Sequence, residues 1–169
     1  MTIYKNQFHS SFEAVDMNVI EALRKIRERL NFLKGSTVFK LNFMMRELLN
    51  NAVEHGNQFQ VEKWVSFEVK YEDPLLIFYF KDEGSGIDPD VISCNHIGTQ
   101  DIRDEKFMEA YFQIEANVII ESIKFAKEMS FDNAIALRHR GFETIKLLNF
   151  DLEVEDSKLK CTLDLSKEV

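Results

Sequence analysis

Glu47-Leu48-Leu49-Asn50-Asn51-Ala52-Val53-Glu54-His55-Gly56, read together with Asp82-Glu83-Gly84-Ser85-Gly86-Ile87 further along, decides how this chain is to be understood. The first stretch closes an apolar-periodic segment over residues 38–55. There Leu41, Met45, Leu48 and Ala52 recur three and four apart, which predicts a helix with one buried face. At about 100° per residue, Glu47 and Asn51 fall about 40° apart and His55 about 40° further on, so three polar groups share one edge beside the buried stripe. Asn50 points about 100° away from Asn51. A carboxylate and a side-chain amide oxygen one turn apart suit a Mg²⁺-assisted phosphoryl reaction: the amide oxygen is a hard ligand and the carboxylate a base.

The second stretch follows Leu75-Leu76-Ile77-Phe78-Tyr79-Phe80, an apolar, aromatic-rich run of strand length. Asp82 can accept a hydrogen bond from an exocyclic amine, and Gly84 and Gly86 permit positive φ and a ligand's close approach to the backbone. That combination suits an adenine base rather than a phosphate. No Gly-Lys-Ser/Thr follows as in a Walker loop, and Pro89 stands where a dinucleotide fingerprint needs its third glycine. Taken singly, each stretch has a plainer reading: a solvated helix edge for Glu47 and Asn51, a strand-closing turn for Asp82. Their joint occurrence favours function. His55 reads as a helix C-terminal residue contacting carbonyls, with Gly56 as a left-handed cap, rather than as a catalytic acid.

The pattern Glu-x-x-x-Asn-Ala-x-x-His-Gly followed by Asp-x-Gly-x-Gly-Ile resembles the N and G1 boxes of the histidine kinase-like (GHKL, Bergerat-fold) ATPases. The His-Gly ending is similar to that of the bacterial anti-sigma-factor serine/threonine kinases within that superfamily. The resemblance runs from the first long helix to the last strand. It implies ATP and Mg²⁺ as ligands, Glu47 as catalytic base, Asn51 as Mg²⁺ ligand and Asp82 as adenine reader, with Gly84, Gly86 and Ile87 completing the nucleotide loop. A third stretch, Arg138-His139-Arg140-Gly141-Phe142-Glu143-Thr144-Ile145-Lys146-Leu147-Leu148, resembles the Arg-Gly-Leu-x-x-Ile form of the G2 box with a single glycine kept. By that likeness Gly141 opens a helix whose amides face phosphates, with Arg138, His139 and Arg140 strengthening the field; Arg140 and Gly141 are the phosphate-side candidates. The plainer reading is a surface cluster and a helix-start glycine.

Residues 88–139 fall where the resembling family carries its nucleotide lid, and the stretch is longer than usual. Phe107, Ala110, Tyr111 and Ile114, then Val118, Ile119, Ile123, Ala126 and Met129, recur at helical spacing, so this insertion is expected to hold one or two helices. Cys94, His96 and Asp101 lie at no recognised metal spacing and read as ordinary loop residues.

The rest of the chain frames these motifs. A strand is expected over residues 3–9, then a helix over 14–33 with Val19, Leu23, Ile26, Leu30 and Leu33 in one stripe, ended by Gly35. The stripe reads as core packing rather than a dimer seam, and a homodimer is left open. Residues 64–71 alternate and turn at Glu72-Asp73-Pro74 into the strand that ends at Asp82, and residues 150–155 and 159–165 form a second hairpin about Asp156-Ser157. The sum is an α+β two-layer sandwich, a mixed, mostly antiparallel sheet with helices on one face. It forms one domain over residues 1–169, the enlarged helical lid included.

Composition narrows the function. Fifteen phenylalanines against six glycines and two prolines argue for a chain folded throughout. Cys94 and Cys161 lack Cys-x-x-Cys spacing, so reduced thiols and no structural zinc are expected. No membrane-length apolar run exists and Met1-Thr2-Ile3-Tyr4-Lys5-Asn6 lacks a signal peptide's apolar region, which points to a soluble, cytoplasmic protein. A formal net charge of −8 disfavours a non-specific nucleic-acid surface and suits a protein partner. The expected function is an ATP-binding serine/threonine protein kinase of the anti-sigma-factor type. It would phosphorylate or sequester a protein regulator, anti-anti-sigma-like or sigma-like. The alternative is a nucleotide-gated binding module with slow or no turnover. A sensor histidine kinase fragment is disfavoured, because His9, His55, His96 and His139 are scattered.

Overall fold

Period-two alternation of apolar and polar residues writes the sheet into the chain. The computed structural model describes residues 1–86 and 141–168. β1 (Thr2–His9) is followed by α1 (Phe12–Arg29) and α2 (Gly35–Asn51), then by the hairpin of β2 (Trp64–Glu72) and β3 (Leu75–Lys81). The short α3 (Gly141–Leu147) leads into a second hairpin, β4 (Phe150–Glu155) and β5 (Lys158–Asp164). The strands lie in the order β1-β2-β3-β5-β4. A mixed sheet was expected, yet every pairing among the described residues is antiparallel, because each neighbour is reached by a hairpin or by a reversal of the chain.

Both expected hairpins are present. In the second, Asp156 and Ser157 both take left-handed φ, 49° and 63°, the mirror-image turn whose twist matches that of paired strands. Val65, Phe67 and Val69 of β2 turn inward with Leu76, Phe78 and Phe80 of β3 and Leu159, Cys161 and Leu163 of β5. They meet Val15, Val19, Ala22 and Ile26 of α1 and Leu41, Met44, Met45, Leu48 and Leu49 of α2, so helices cover one face of the sheet. Each such side chain contributes about 1.5–3 kcal/mol by leaving water. The other face carries ion pairs across strands, among them Lys160 with Glu153 at 2.7 Å and Lys5 with Glu68 at 4.0 Å.

The α1 stripe is core, as its pattern suggested: Val19, Ile26 and Leu30 are buried, and Leu23 and Leu33 pack against them. Its boundaries differ from expectation. Ser11 caps the start, its Oγ accepting from the Ala14 N–H at 3.2 Å, and Leu30 leaves helical geometry with φ −121° and ψ 64°. Leu30 and Leu33 keep the apolar period because they close the core from the connection, outside the helix. Gly35, expected to end α1, is instead the first residue of α2.

Two buried polar contacts fasten the layers. Asn18 Oδ1 accepts from the Tyr4 hydroxyl at 2.6 Å and from Asn6 Nδ2 at 2.7 Å, tying β1 to α1. Lys40 of α2 donates to both oxygens of Glu168, at 2.9 and 2.8 Å, and fixes the segment after β5. Among the described residues no helix is long and apolar enough to cross a membrane.

Candidate functional site

Glu47 and Asn51 sit half-buried on α2, beside the buried Leu48 and Ala52, and His55 is exposed one turn on. The helix does not stop at Asn51. It widens into a π-helical turn, Ala52–Gly56, in which the Asn57 N–H donates to Ala52 O at 2.8 Å. Single π turns of this kind concentrate at functional sites because they re-aim the side chains beyond them. The Phe59 N–H then donates to Val53 O at 2.9 Å, and Gln58 and Phe59 take left-handed φ of 52° and 58°. Those two residues reverse the chain, so Gly56 is not the left-handed cap that its position suggested.

Gly56 is a glycine for another reason. A Cβ at Gly56 would lie 2.2 Å from Asp82 Oδ2 and 2.3 Å from its Cγ. A Cβ at Gly84 would lie 2.1 Å from the Gly56 carbonyl oxygen and 2.8 Å from its carbon. The end of the α2 turn and the loop after β3 thus touch backbone to backbone, which requires glycine at Gly84, while Gly56 makes room for the Asp82 side chain. Of the two uses that the sequence allows these glycines, positive φ occurs at Gly86, with φ 86°, whereas Gly84 serves close approach, to the Gly56 backbone.

Asn57 binds the same junction and was not anticipated. It is fully buried; its Nδ2 donates to Trp64 O at 3.0 Å and its Oδ1 accepts from the Glu83 N–H at 2.9 Å. Glu83 returns the contact, its Oε2 accepting from the Trp64 N–H at 2.7 Å. Asp82 Oδ1 accepts from the Gly84 N–H at 2.8 Å. An amide placed directly after His-Gly was the available sequence signal, since a side-chain amide offers a separate donor and acceptor that can bridge two backbone groups.

The two principal motifs are therefore joined in space: Asp82 and Gly84 lie against Gly56, at the end of the helix that carries Glu47 and Asn51. Gly141 is the first residue of α3, which Ile145 and Leu148 anchor in the core. Ile87, Arg140 and residues 88–139 lie outside the described residues, as do Cys94, His96 and Asp101. Among the described residues no three His, Cys, Asp or Glu side chains gather into a metal cage. A Mg²⁺ ion at this site would fit Asn51 Oδ1 as its protein ligand, with water and phosphate oxygens completing the shell, the usual habit of this ion. No family model matches the chain, and no curated protein matches it.

Proposed function

We propose that this chain binds Mg²⁺-ATP in a Bergerat-type pocket and transfers its terminal phosphoryl group to a serine or threonine of a protein regulator, as the anti-sigma-factor kinases it resembles do. The observation that carries the proposal is the close approach of Gly56 to Asp82 and Gly84, which unites two motifs far apart in sequence.

Order along α2 supports it further. With a rise of about 1.5 Å per residue, Glu47 stands about 6 Å back from Asn51 along α2, and Asn51 in turn lies a π turn back from Gly56. Base reader, metal ligand and general base then follow one another as base, phosphates and terminal phosphoryl do in an extended nucleotide. In this reading Asp82 accepts a hydrogen bond from the adenine amine. Its Oδ1 is already held by the Gly84 N–H, so the carboxylate is oriented before the ligand arrives. Gly86, whose Cβ position is open, leaves room for the base and sugar, and the start of α3 at Gly141, with Arg140 before it, serves the phosphates. Mg²⁺ held by Asn51 would neutralise phosphate charge. Glu47 takes the proton of the attacking hydroxyl. The acidic chain, at −8, suits a protein partner in the cytoplasm rather than nucleic acid.

Calorimetric titration with Mg²⁺-ATP tests the pocket: Asp82→Asn and Asn51→Ala are each expected to weaken binding. Unchanged affinity in both rejects the reading. In a phosphoryl-transfer assay with the regulator, Glu47→Ala is expected to keep nucleotide binding and lose transfer, and full activity removes Glu47 from the chemistry.

A further inference from the structure

Asp82 faces Gly56, which has no side chain to brace it, and it lies partly exposed just past the end of β3. Its bracing comes from Asn57. This amide is fully buried, so it touches no ligand, and it spans two backbone groups from separate segments: Trp64 O at the start of β2 and the Glu83 N–H one residue after Asp82. On the other side of Asp82 the chain is held by the pairing of Phe80 with Phe67 and Leu159. The Gly84 N–H orients the carboxylate, while the backbone that carries it is held by the paired strand on one side and by Asn57 and Trp64 through Glu83 on the other.

We infer that Asn57 is the positioning residue for nucleobase selectivity, acting through Asp82. The inference rests on the reading of Asp82 as the base reader. Adenine offers an amine where guanine offers a carbonyl oxygen at the equivalent ring position. A carboxylate fixed opposite that position accepts from the first and repels the second. A carboxylate free to swing away does neither well, so selectivity depends on how firmly the Glu83 N–H is held. Of the two bonds Asn57 makes, the one from its Oδ1 sets this, and the one from its Nδ2 secures β2.

The two bonds can be separated. Asn57→Asp keeps an acceptor for the Glu83 N–H and loses the donor to Trp64 O; Asn57→Ala loses both. The readout is the ratio of Mg²⁺-ADP to Mg²⁺-GDP affinity of the whole chain by calorimetry, alongside the melting temperature. Both variants are expected to melt lower. The ADP:GDP ratio is expected to fall about tenfold or more in Asn57→Ala, the equivalent of one hydrogen bond, and to be rescued to within about threefold of the unsubstituted protein in Asn57→Asp. A wild-type ratio in Asn57→Ala overturns the inference. So does an equal loss in both variants that tracks melting temperature, since that is general loosening. Where Asn57→Ala does not fold, Asn57→Ser, too short to reach the Glu83 N–H, takes its place with the same expectation. Failure of the underlying reading is distinguishable: the unsubstituted protein then binds no adenine nucleotide, and both proposals fall together.

Discussion

Gly56→Ala and Gly84→Ala should part stability from binding, because the added methyl meets different obstacles at the two positions. At Gly84 the obstacle is backbone: the new Cβ lies 2.1 Å from the Gly56 carbonyl oxygen. To reach the 3.4 Å of ordinary van der Waals contact, the loop must back away by about 1.3 Å. A shift of that size takes the 2.9 Å bond between the Glu83 N–H and Asn57 Oδ1 beyond hydrogen-bonding range and leaves a buried amide oxygen unsatisfied. The expected loss is about 2–4 kcal/mol, with a fall in melting temperature of roughly 5–15 °C. At Gly56 the obstacle is mainly the end of one side chain, the Asp82 carboxylate at 2.2 Å, with the Asp82 Cβ at 2.9 Å having to give by only about 0.5 Å. Asp82 can swing out, breaking its bond from the Gly84 N–H at about 0.5–1.5 kcal/mol, and alanine in the helical turn offsets up to about 1 kcal/mol of that. Gly56→Ala should therefore melt within about 3 °C of the unsubstituted protein. Its Mg²⁺-ADP affinity should drop roughly 10- to 150-fold, the worth of a hydrogen bond to a charged group. Scanning calorimetry and titration calorimetry on the same samples give both numbers. Wild-type binding in Gly56→Ala removes Asp82 from the ligand site, and a wild-type melting temperature in Gly84→Ala denies the backbone contact itself.

Three further expectations concern the scaffold. Asn18→Ala strands the buried Tyr4 hydroxyl and should destabilise by about 2–3 kcal/mol, read from urea unfolding; a loss under about 0.5 kcal/mol would show that Tyr4 finds another acceptor. Glu168→Ala leaves Lys40 in a largely buried setting without that carboxylate and should cost roughly 3 kcal/mol, whereas Lys40→Met with Glu168→Leu should recover most of it; equal losses in the two proteins contradict the pairing. The fold should also be sensitive to alkali. Burial pushes the Cys161 thiol well above its ordinary 9.0 and the Tyr4 hydroxyl above its ordinary 10.0, so the folded chain retains protons that the unfolded chain releases. Stability is then complete below those ordinary values and declines as pH rises past about 9. Melting temperature scanned from pH 7 to 11 should fall more gently in Cys161→Ala and Tyr4→Phe, and an unchanged slope in both would assign the effect elsewhere.

The hairpins and the core faces were legible because period-two alternation and the turn residues Asp73-Pro74 and Asp156-Ser157 are local signals. The buried stripe of α2 was legible from its three- and four-residue spacing for the same reason. Where α1 stops was not: Leu30 and Leu33 serve the same core from a non-helical connection, and periodicity does not distinguish the two. Gly35 misled because glycine marks either side of a helix junction. The glycines of the site show a deeper limit. Gly84 is required by the Gly56 backbone and Gly56 by the Asp82 side chain, tertiary contacts that local propensity cannot express, whereas the sequence alone reads Gly56 as a left-handed cap and Gly84 as room for a ligand. Asn57 was missed on the same account, since its partners Trp64 and Glu83 come from different segments.

β3 and β5 are neighbours in the sheet, although the chain leaves one at Lys81 and enters the other only at Lys158. Part of what lies between, α3 and β4, belongs to the core and the sheet; residues 87–140 form a detour between these held ends. The entropy of closing such a detour grows with the logarithm of its length, and a doubling costs only about 0.6 kcal/mol, less than burying one leucine recovers. Asp82 and Gly84 stand at its threshold, secured by Gly56 and Asn57. The described bonds of that threshold all come from residues outside 87–140, so changes in the length of that stretch are expected to leave them intact, and engineered replacements should graft there more readily than at either hairpin.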